Sequence, residues 1–129
     1  MYFQCAVSVA PVLPNWLGTT FLWYDSLSFM TPLAGAKPWD DPLAYVKLSA
    51  VFRADKVKTP MLLADGDEDG AFVLGKIEMY NALRATGGRV TLLRYPDQGH
   101  VLMGDALKDF WRREMEFFSE HLMPHKRSP

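Results

Sequence analysis

The stretch Leu-Leu-Ala-Asp-Gly-Asp-Glu-Asp-Gly at residues 62–70 decides the fold. An apolar run, entered through Pro60, breaks here into an acidic turn that contains two glycines. A short, continuously apolar run that ends in a turn is typical of a strand buried on both faces of a parallel sheet. We therefore predict a buried strand over Met61–Ala64, with the acidic turn at its carboxyl end.

Two further segments have the same character. Val90–Tyr95 is an apolar run followed by the loop Tyr-Pro-Asp-Gln-Gly-His, which ends at His100. Phe3–Ala10 is mostly apolar and is stopped by Pro11, and it too predicts a strand buried on both faces.

Capping residues and helical spacing predict the helices between and after these strands. Asp41 followed by Pro42 is a typical helix start, and we predict a helix to about Leu48. Longer helices are predicted over about Phe72–Thr86 and Asp105–Leu122. Their buried faces are expected at apolar positions three or four apart: Val73, Ile77, Tyr80 and Leu83 in the first, and Leu107, Trp111, Met115, Phe118 and Leu122 in the second.

The connecting segments differ in character. Ser49–Thr59 is a polar connection, and its charged residues Arg53, Asp55, Lys56 and Lys58 are expected to form a solvated face. Pro11–Pro42 is long and rich in aromatic residues, namely Trp16, Phe21, Trp23, Tyr24, Phe29 and Trp39. Connections of this length usually cover or line something. A small helical cover on the sheet and a hydrophobic wall for a substrate side chain both fit this pattern.

The order strand, helix, strand, helix places the chain in the α/β class, with three parallel strands covered by helices. Ligands of such sheets bind beyond the carboxyl ends of the strands. Asp69 and His100 both follow a predicted strand, so we expect their side chains at the same edge of the sheet.

The composition and net charge limit the classes of partner that the chain is expected to bind. The 129 residues are 49% hydrophobic and 22% charged with a formal net charge of −1, as in a single globular unit. A near-neutral charge argues against nucleic acid or an anionic membrane as a partner. No apolar run reaches the roughly 18 residues of a spanning segment. The one cysteine, Cys5, lies in an apolar run and is interpreted as a small buried hydrophobe.

A carboxylate and an imidazole on neighbouring loops are two members of a Ser-His-Asp relay, in which the carboxylate orients the imidazole and the imidazole moves the proton. In α/β-hydrolases the chain order is Ser, then Asp, then His, and Asp69 followed by His100 fits the last two places. The turn also matches the first half of an EF-hand calcium loop. The twelfth position of that loop should be Glu and is Lys76 here, so we expect neither calcium nor any other metal or cofactor.

Several segments resemble the C-terminal half of the catalytic domain of the prolyl oligopeptidase family, which are serine peptidases with an α/β-hydrolase fold. The segments that carry the resemblance are Ala6–Val12, Val57–Leu63, Asp67–Ala71, Met79–Arg84, Tyr95-Pro96, Gly99-His100 and Asp109–Leu122. The resemblance covers nearly the whole chain and implies that residues 1–129 are one part of such a domain, with a partial α/β-hydrolase fold.

The resemblance also implies roles for individual residues. Asp69 would be the acid of the relay and His100 its base. Ala71 and Phe72, just beyond the acid, match positions that border the substrate pocket. An aromatic wall of that pocket is expected from Trp16, Trp23 and Tyr24.

The sequence departs from the family pattern at the nucleophile, since it contains no G-x-S-x-G motif. The expected function is therefore peptide-bond hydrolysis that needs an upstream Ser-bearing half, with a peptide as substrate. Without that half, the Phe3–Ala10 strand would leave an open edge through which the chain could also self-associate. An esterase of the same fold and a non-catalytic interaction module are the alternatives.

Overall fold

The computed structural model describes residues 3–9, 14–22 and 25–122 of the chain. These residues form a three-stranded parallel sheet of order β1-β2-β3. The strands are β1 (Ala6–Val9), β2 (Met61–Gly66) and β3 (Val90–Tyr95). Met61 pairs with Ala6 on one side and with Val90 on the other, so β2 is the central strand.

Helices surround this sheet. In chain order they are α1 (Trp16–Thr19), α2 (Ser26–Ala34), α3 (Pro42–Leu48), a 3₁₀ helix (Ala50–Lys56), α4 (Ala71–Ala85) and α5 (Gly104–Leu122). The predicted α/β class, with parallel strands and covering helices, is confirmed. The start of α3 is also as predicted, because the Asp41 side chain accepts a hydrogen bond from the Ala44 N–H at 3.2 Å.

Alternation along β2 explains how the sheet is buried on both faces. Leu63 packs against Met79 and Leu83 of α4, whereas its neighbour Ala64 belongs to a cluster with Phe110 of α5. Successive side chains of a strand point to opposite faces, so α4 and α5 cover opposite faces of the sheet. Asp65 is two residues from Leu63 and therefore faces α4.

The first strand is shorter and less buried than predicted. It begins at Ala6 rather than Phe3, its residues are mostly half-buried, and Val9 is 40% exposed. Within the described ranges β1 pairs only with β2, so its other edge lacks the neighbour that would bury it. Ala10, the predicted last residue, is outside the described residues.

The described part of the aromatic stretch contains the short helices α1 and α2, in agreement with a helical cover. Both α1 and α2 pack against α3. Met30 of α2 and Tyr45 of α3 are fully buried between them. Trp23 and Tyr24 fall outside the described residues.

The predicted packing of two segments is confirmed in part. The segment after α3 is a 3₁₀ helix, and its charged residues Arg53, Asp55, Lys56 and Lys58 are exposed as expected, whereas its Ala54 is buried with Leu63. In α4 the predicted Val73 and Leu83 are buried, Ile77 and Tyr80 are half-buried, and the buried face also includes Lys76 and Met79.

In α5 the predicted stripe is mostly exposed, with Trp111 at 54%, Met115 at 66% and Leu122 at 50%. The residue that enters the core is Phe110. Of the predicted stripe, Leu107 packs with Ala106 against the cluster that contains Phe110, so this side of the helix faces the sheet.

Candidate active site

The loops after β2 and β3 are joined directly to each other. The Asp67 N–H donates to the Tyr95 carbonyl, and the Glu68 N–H donates to the Gln98 carbonyl, both at 2.9 Å. Because β2 and β3 are parallel neighbours, their carboxyl ends meet at one edge and the two loops run side by side. The backbone itself therefore sets the spacing between the acidic turn and the histidine loop.

Gly66 is required by this close approach. A Cβ atom at this position would lie 2.1 Å from the Gln98 carbonyl oxygen and 2.4 Å from the Gly99 oxygen. Both contacts are to backbone atoms, which cannot move away as a flexible side chain would. The glycine thus lets the histidine loop cross over the end of β2.

Gly70 connects the acidic turn to α4. Its backbone has φ +60° and ψ −128°, a conformation that favours glycine, and α4 begins at the following residue. In the histidine loop the left-handed residue is Asp97, with φ 57°. Gly99, in the same loop, has neither a left-handed backbone nor a neighbour that excludes a side chain.

Asp69 and His100 lie in hydrogen-bonding contact at this edge. The His100 Nδ1 is 3.1 Å from both Oδ1 and Oδ2 of Asp69. The Asp69 side chain is only 6% exposed, whereas that of His100 is 52% exposed. A neutral imidazole that donates from Nδ1–H carries its free lone pair on Nε2, and no hydrogen bond to His100 Nε2 is found within the described part of the chain.

The residues after Asp69 complete this surface. The Phe72 ring, from the first turn of α4, meets the His100 ring edge to face with centroids 5.5 Å apart. Ala71 is half-buried at the first position of the same helix. Trp16 lies in α1, where its backbone N–H donates to Ser49 Oγ, and the contacts of the described residues do not join it to the Asp69–His100 pair. Trp23 and Tyr24 stay predictions, as they lie in a part of the chain that is not described.

Two buried charged residues beneath the pair were missed from the sequence. Asp65 and Lys76 are each 1% exposed. Burial and a hydrogen bond with Asp69 raise the pKa of Asp65 to about 6. The Lys76 Nζ donates to the carbonyl and to the hydroxyl of Ser8, at 3.2 and 2.9 Å, and burial lowers the pKa of Lys76.

A signal for both residues was present in the sequence. Lys76 is three residues from Val73 and three from Met79, on the buried face of α4, and Asp65 continues the alternation of Leu63. The usual exposure of charged side chains hid this pattern.

The other carboxylates of the acidic turn have separate surroundings. Asp67 pairs with Arg94 at 2.7 Å, while Asp65 faces α4. Across the described ranges, no group of three or more His, Cys, Asp or Glu side chains is arranged to hold a metal ion. Among the same residues, no helix is long and apolar enough to cross a membrane.

Comparison with known proteins identifies the family. A model of the prolyl oligopeptidase family matches residues 1–125. The chain belongs to the prolyl oligopeptidase family. A probable glutamyl endopeptidase of Arabidopsis thaliana chloroplasts is 32% identical over 65 residues, which is 48% of this chain and 7% of that protein.

Solved structures of peptidases share the fold of this chain. The acylaminoacyl peptidase of Pyrococcus horikoshii is 24% identical with a TM-score of 0.75, over 98% of this chain and 22% of that one. An acylaminoacyl peptidase in complex with Z-Gly-Gly-Phe-chloromethyl ketone is 24% identical with a TM-score of 0.79, over 98% of this chain and 21% of that one. At this identity the likeness shows the α/β-hydrolase fold, and the chain spans about a fifth of these structures.

Proposed function

We propose that this chain supplies the acid and the base of a serine-peptidase active site, with Asp69 as the acid and His100 as the base. The observation that carries the proposal is the hydrogen bond between His100 Nδ1 and Asp69 at the carboxyl edge of the parallel sheet. Membership of the prolyl oligopeptidase family supports a peptide as the substrate. Residues 1–129 are then one part of the catalytic domain.

In this mechanism Asp69 holds His100 in the tautomer that leaves Nε2 unprotonated. Nε2 takes the proton from a serine hydroxyl as the serine oxygen bonds to the carbonyl carbon of the scissile peptide. It then gives that proton to the leaving amine, and a water molecule attacks the acyl-enzyme by the same route. Asp69 remains ionised and stabilises the imidazolium form of His100.

The serine comes from a segment that carries the G-x-S-x-G motif, since the printed sequence contains no such motif. The open edge of β1 is the natural place for that segment to join the sheet, because an unpaired strand edge presents backbone donors and acceptors to a new strand. Phe72 and Ala71 border the substrate beside His100. The Phe72 ring also restricts the rotation of the imidazole.

A fluorophosphonate probe, read out by intact mass, tests the proposal. We expect no adduct on the chain alone. When the chain is co-expressed with a polypeptide that carries the G-x-S-x-G segment of an acylaminoacyl peptidase, we expect one adduct on that serine. The rate of labelling should fall by roughly 10⁴-fold in Asp69→Asn, as it does for a lost triad carboxylate, and at least as much in His100→Ala.

Asp67→Asn and His121→Ala are the matched controls, because each removes the same type of side chain without touching the pair. Labelling of the supplied serine that is equally fast in wild type and His100→Ala would show that His100 is not the base. An adduct on the chain alone that requires His100 would overturn the assignment of the nucleophile to another segment.

A further inference from the structure

A second carboxyl group lies directly behind Asp69. Asp65 is at the end of β2 and is 1% exposed, and the Asp69 side chain is 6% exposed. Asp69 is close enough to Asp65 to raise its pKa both as a side-chain hydrogen-bonding neighbour and through its charge. Ionised carboxylates are acceptors only, so a hydrogen bond between two of them requires one shared proton.

The contacts of each oxygen indicate where this proton resides. Asp65 Oδ1 accepts the Gly66 N–H at 2.9 Å, whereas the buried Asp65 Oδ2 has no hydrogen-bond partner among the described residues when it is treated as an acceptor. Both oxygens of Asp69 already face the His100 Nδ1. A proton on Asp65 Oδ2 gives the orphaned oxygen a partner and leaves Asp69 as the charged member.

We propose that Asp65 is a positioning residue, which donates a hydrogen bond from its protonated Oδ2 to Asp69 and holds that carboxylate against His100. This inference rests on the proposed function, since it assigns Asp65 a part in the same relay. Asp65 does not touch the substrate and acts only through Asp69.

The surroundings of Asp65 favour its protonated form. Burial is the main cause that raises its pKa to about 6, and the charge of Asp69 adds to it. The Gly66 N–H and the Lys76 ammonium, which faces it from α4, act in the opposite direction. Lys76 also donates hydrogen bonds to Ser8 on β1, so this side chain of α4 interacts with β1 as well as with Asp65 on β2. As the pH rises through about 6, Asp65 ionises and the hydrogen bond to Asp69 is replaced by repulsion.

NMR of the full 129-residue chain tests the proposal without any need for turnover. The ¹³Cγ shift of Asp65 reports its protonation, and the His100 Nδ1–H signal, assigned by its loss in His100→Gln, reports the contact with Asp69. Asp65→Asn keeps the shape and a donor, whereas Asp65→Leu keeps the size and removes the donor. Asp67→Asn is the control for loss of a carboxylate from the same turn.

We expect the Asp65 titration in Asp69→Asn to move to lower pH by about one unit, because the neighbouring charge that retains the proton is gone. The His100 Nδ1–H should exchange with water roughly threefold to tenfold faster in Asp65→Leu, the effect of one net hydrogen bond, and remain slow in Asp65→Asn. Unchanged amide spectra away from the turn show that each variant is folded.

The outcomes separate this inference from the proposed function. An Asp65 titration that is the same in Asp69→Asn and wild type, or equal exchange rates in Asp65→Asn and Asp65→Leu, would overturn the role of Asp65 and leave the Asp69–His100 pair intact. A His100 Nδ1–H signal that is unaffected by Asp69→Asn would instead overturn the pair on which the proposed function depends.

Discussion

The residues that surround His100 have unequal signals in the sequence. Asp69 and His100 were predicted to share an edge because each follows an apolar strand, and parallel strands bring their carboxyl ends together. The burial of Asp65 was not predicted, because charged side chains are usually exposed and a carboxylate directly after an apolar run suggests the start of a turn. Its burial depends on the histidine loop and α4, which close over it from distant parts of the sequence.

The raised pKa of Asp65 makes the stability of the chain depend on pH. The pKa of this carboxyl is about 6 in the folded state and 3.8 ordinarily, so the folded state retains the proton to a higher pH than the unfolded state. Stability is therefore full below about pH 4 and falls as the pH rises to about 6. Asp65→Asn cannot ionise, and we expect its free energy of unfolding to exceed that of wild type by about 1–3 kcal/mol more at pH 7.5 than at pH 4.

Urea unfolding at the two pH values measures this difference. Asp67→Asn, from the same turn, is the control. The pH range lies above the pKa of Asp109, which hydrogen bonds from Arg113 and Arg112 lower to about 2, so that carboxylate does not contribute. A gain in Asp65→Asn that is the same at both pH values would contradict the prediction.

At the scale of elements, the bounds of β3 and the start of α3 were predicted accurately, because the local sequence signals agree with the packing. The third strand was predicted with the bounds that β3 has, and α3 begins at its Asp41 cap. The buried face of α5 was predicted wrongly at Trp111, Met115 and Leu122, because regular apolar spacing marks a stripe without showing that this stripe contacts the sheet. Which stripe faces the sheet depends on how the helix is rotated, and this is fixed by contacts with Ala64 and Tyr95 that the helix sequence does not contain.

Two adjacent aromatic residues of α5 test the corrected packing. Phe110 is 4% exposed and Trp111 is 54% exposed. Phe110→Ala removes a buried ring from the cluster with Ala64 and Leu102, and we expect it to lower the free energy of unfolding by about 3–5 kcal/mol. Trp111→Ala should cost less than about 1 kcal/mol, since most of its ring is already in water. Urea denaturation of the two variants measures both values, and a larger loss in Trp111→Ala would support the originally predicted stripe.

At the scale of the whole molecule, the sheet has an edge that the sequence predicted and the structure places at β1. Ala6 donates its N–H to the Pro60 carbonyl, toward β2. Successive N–H groups of a strand point to opposite sides, so those of Val7 and Val9 point away from β2. The N–H of Ser8, like that of Ala6, points toward β2, and the Ser8 hydroxyl accepts a hydrogen bond from Lys76. The outward groups are available to a strand from the Ser-bearing segment or from a second copy of this chain.

Proline substitution distinguishes the two sides of β1. Val9→Pro removes an outward N–H at an exposed position, which an edge strand tolerates, so the fold should persist. If the chain associates through this edge, sedimentation should show dimers or larger species in wild type, and Val9→Pro should shift the population toward monomer. Ser8→Pro removes an inward N–H and should instead lower the free energy of unfolding by about 1–3 kcal/mol, because an acceptor on β2 loses its partner. Association that is equally strong in wild type and Val9→Pro would show that the contact lies elsewhere. A wild type that stays monomeric at high concentration would show that the chain does not self-associate through this edge, and the Ser-bearing segment would remain as its proposed partner.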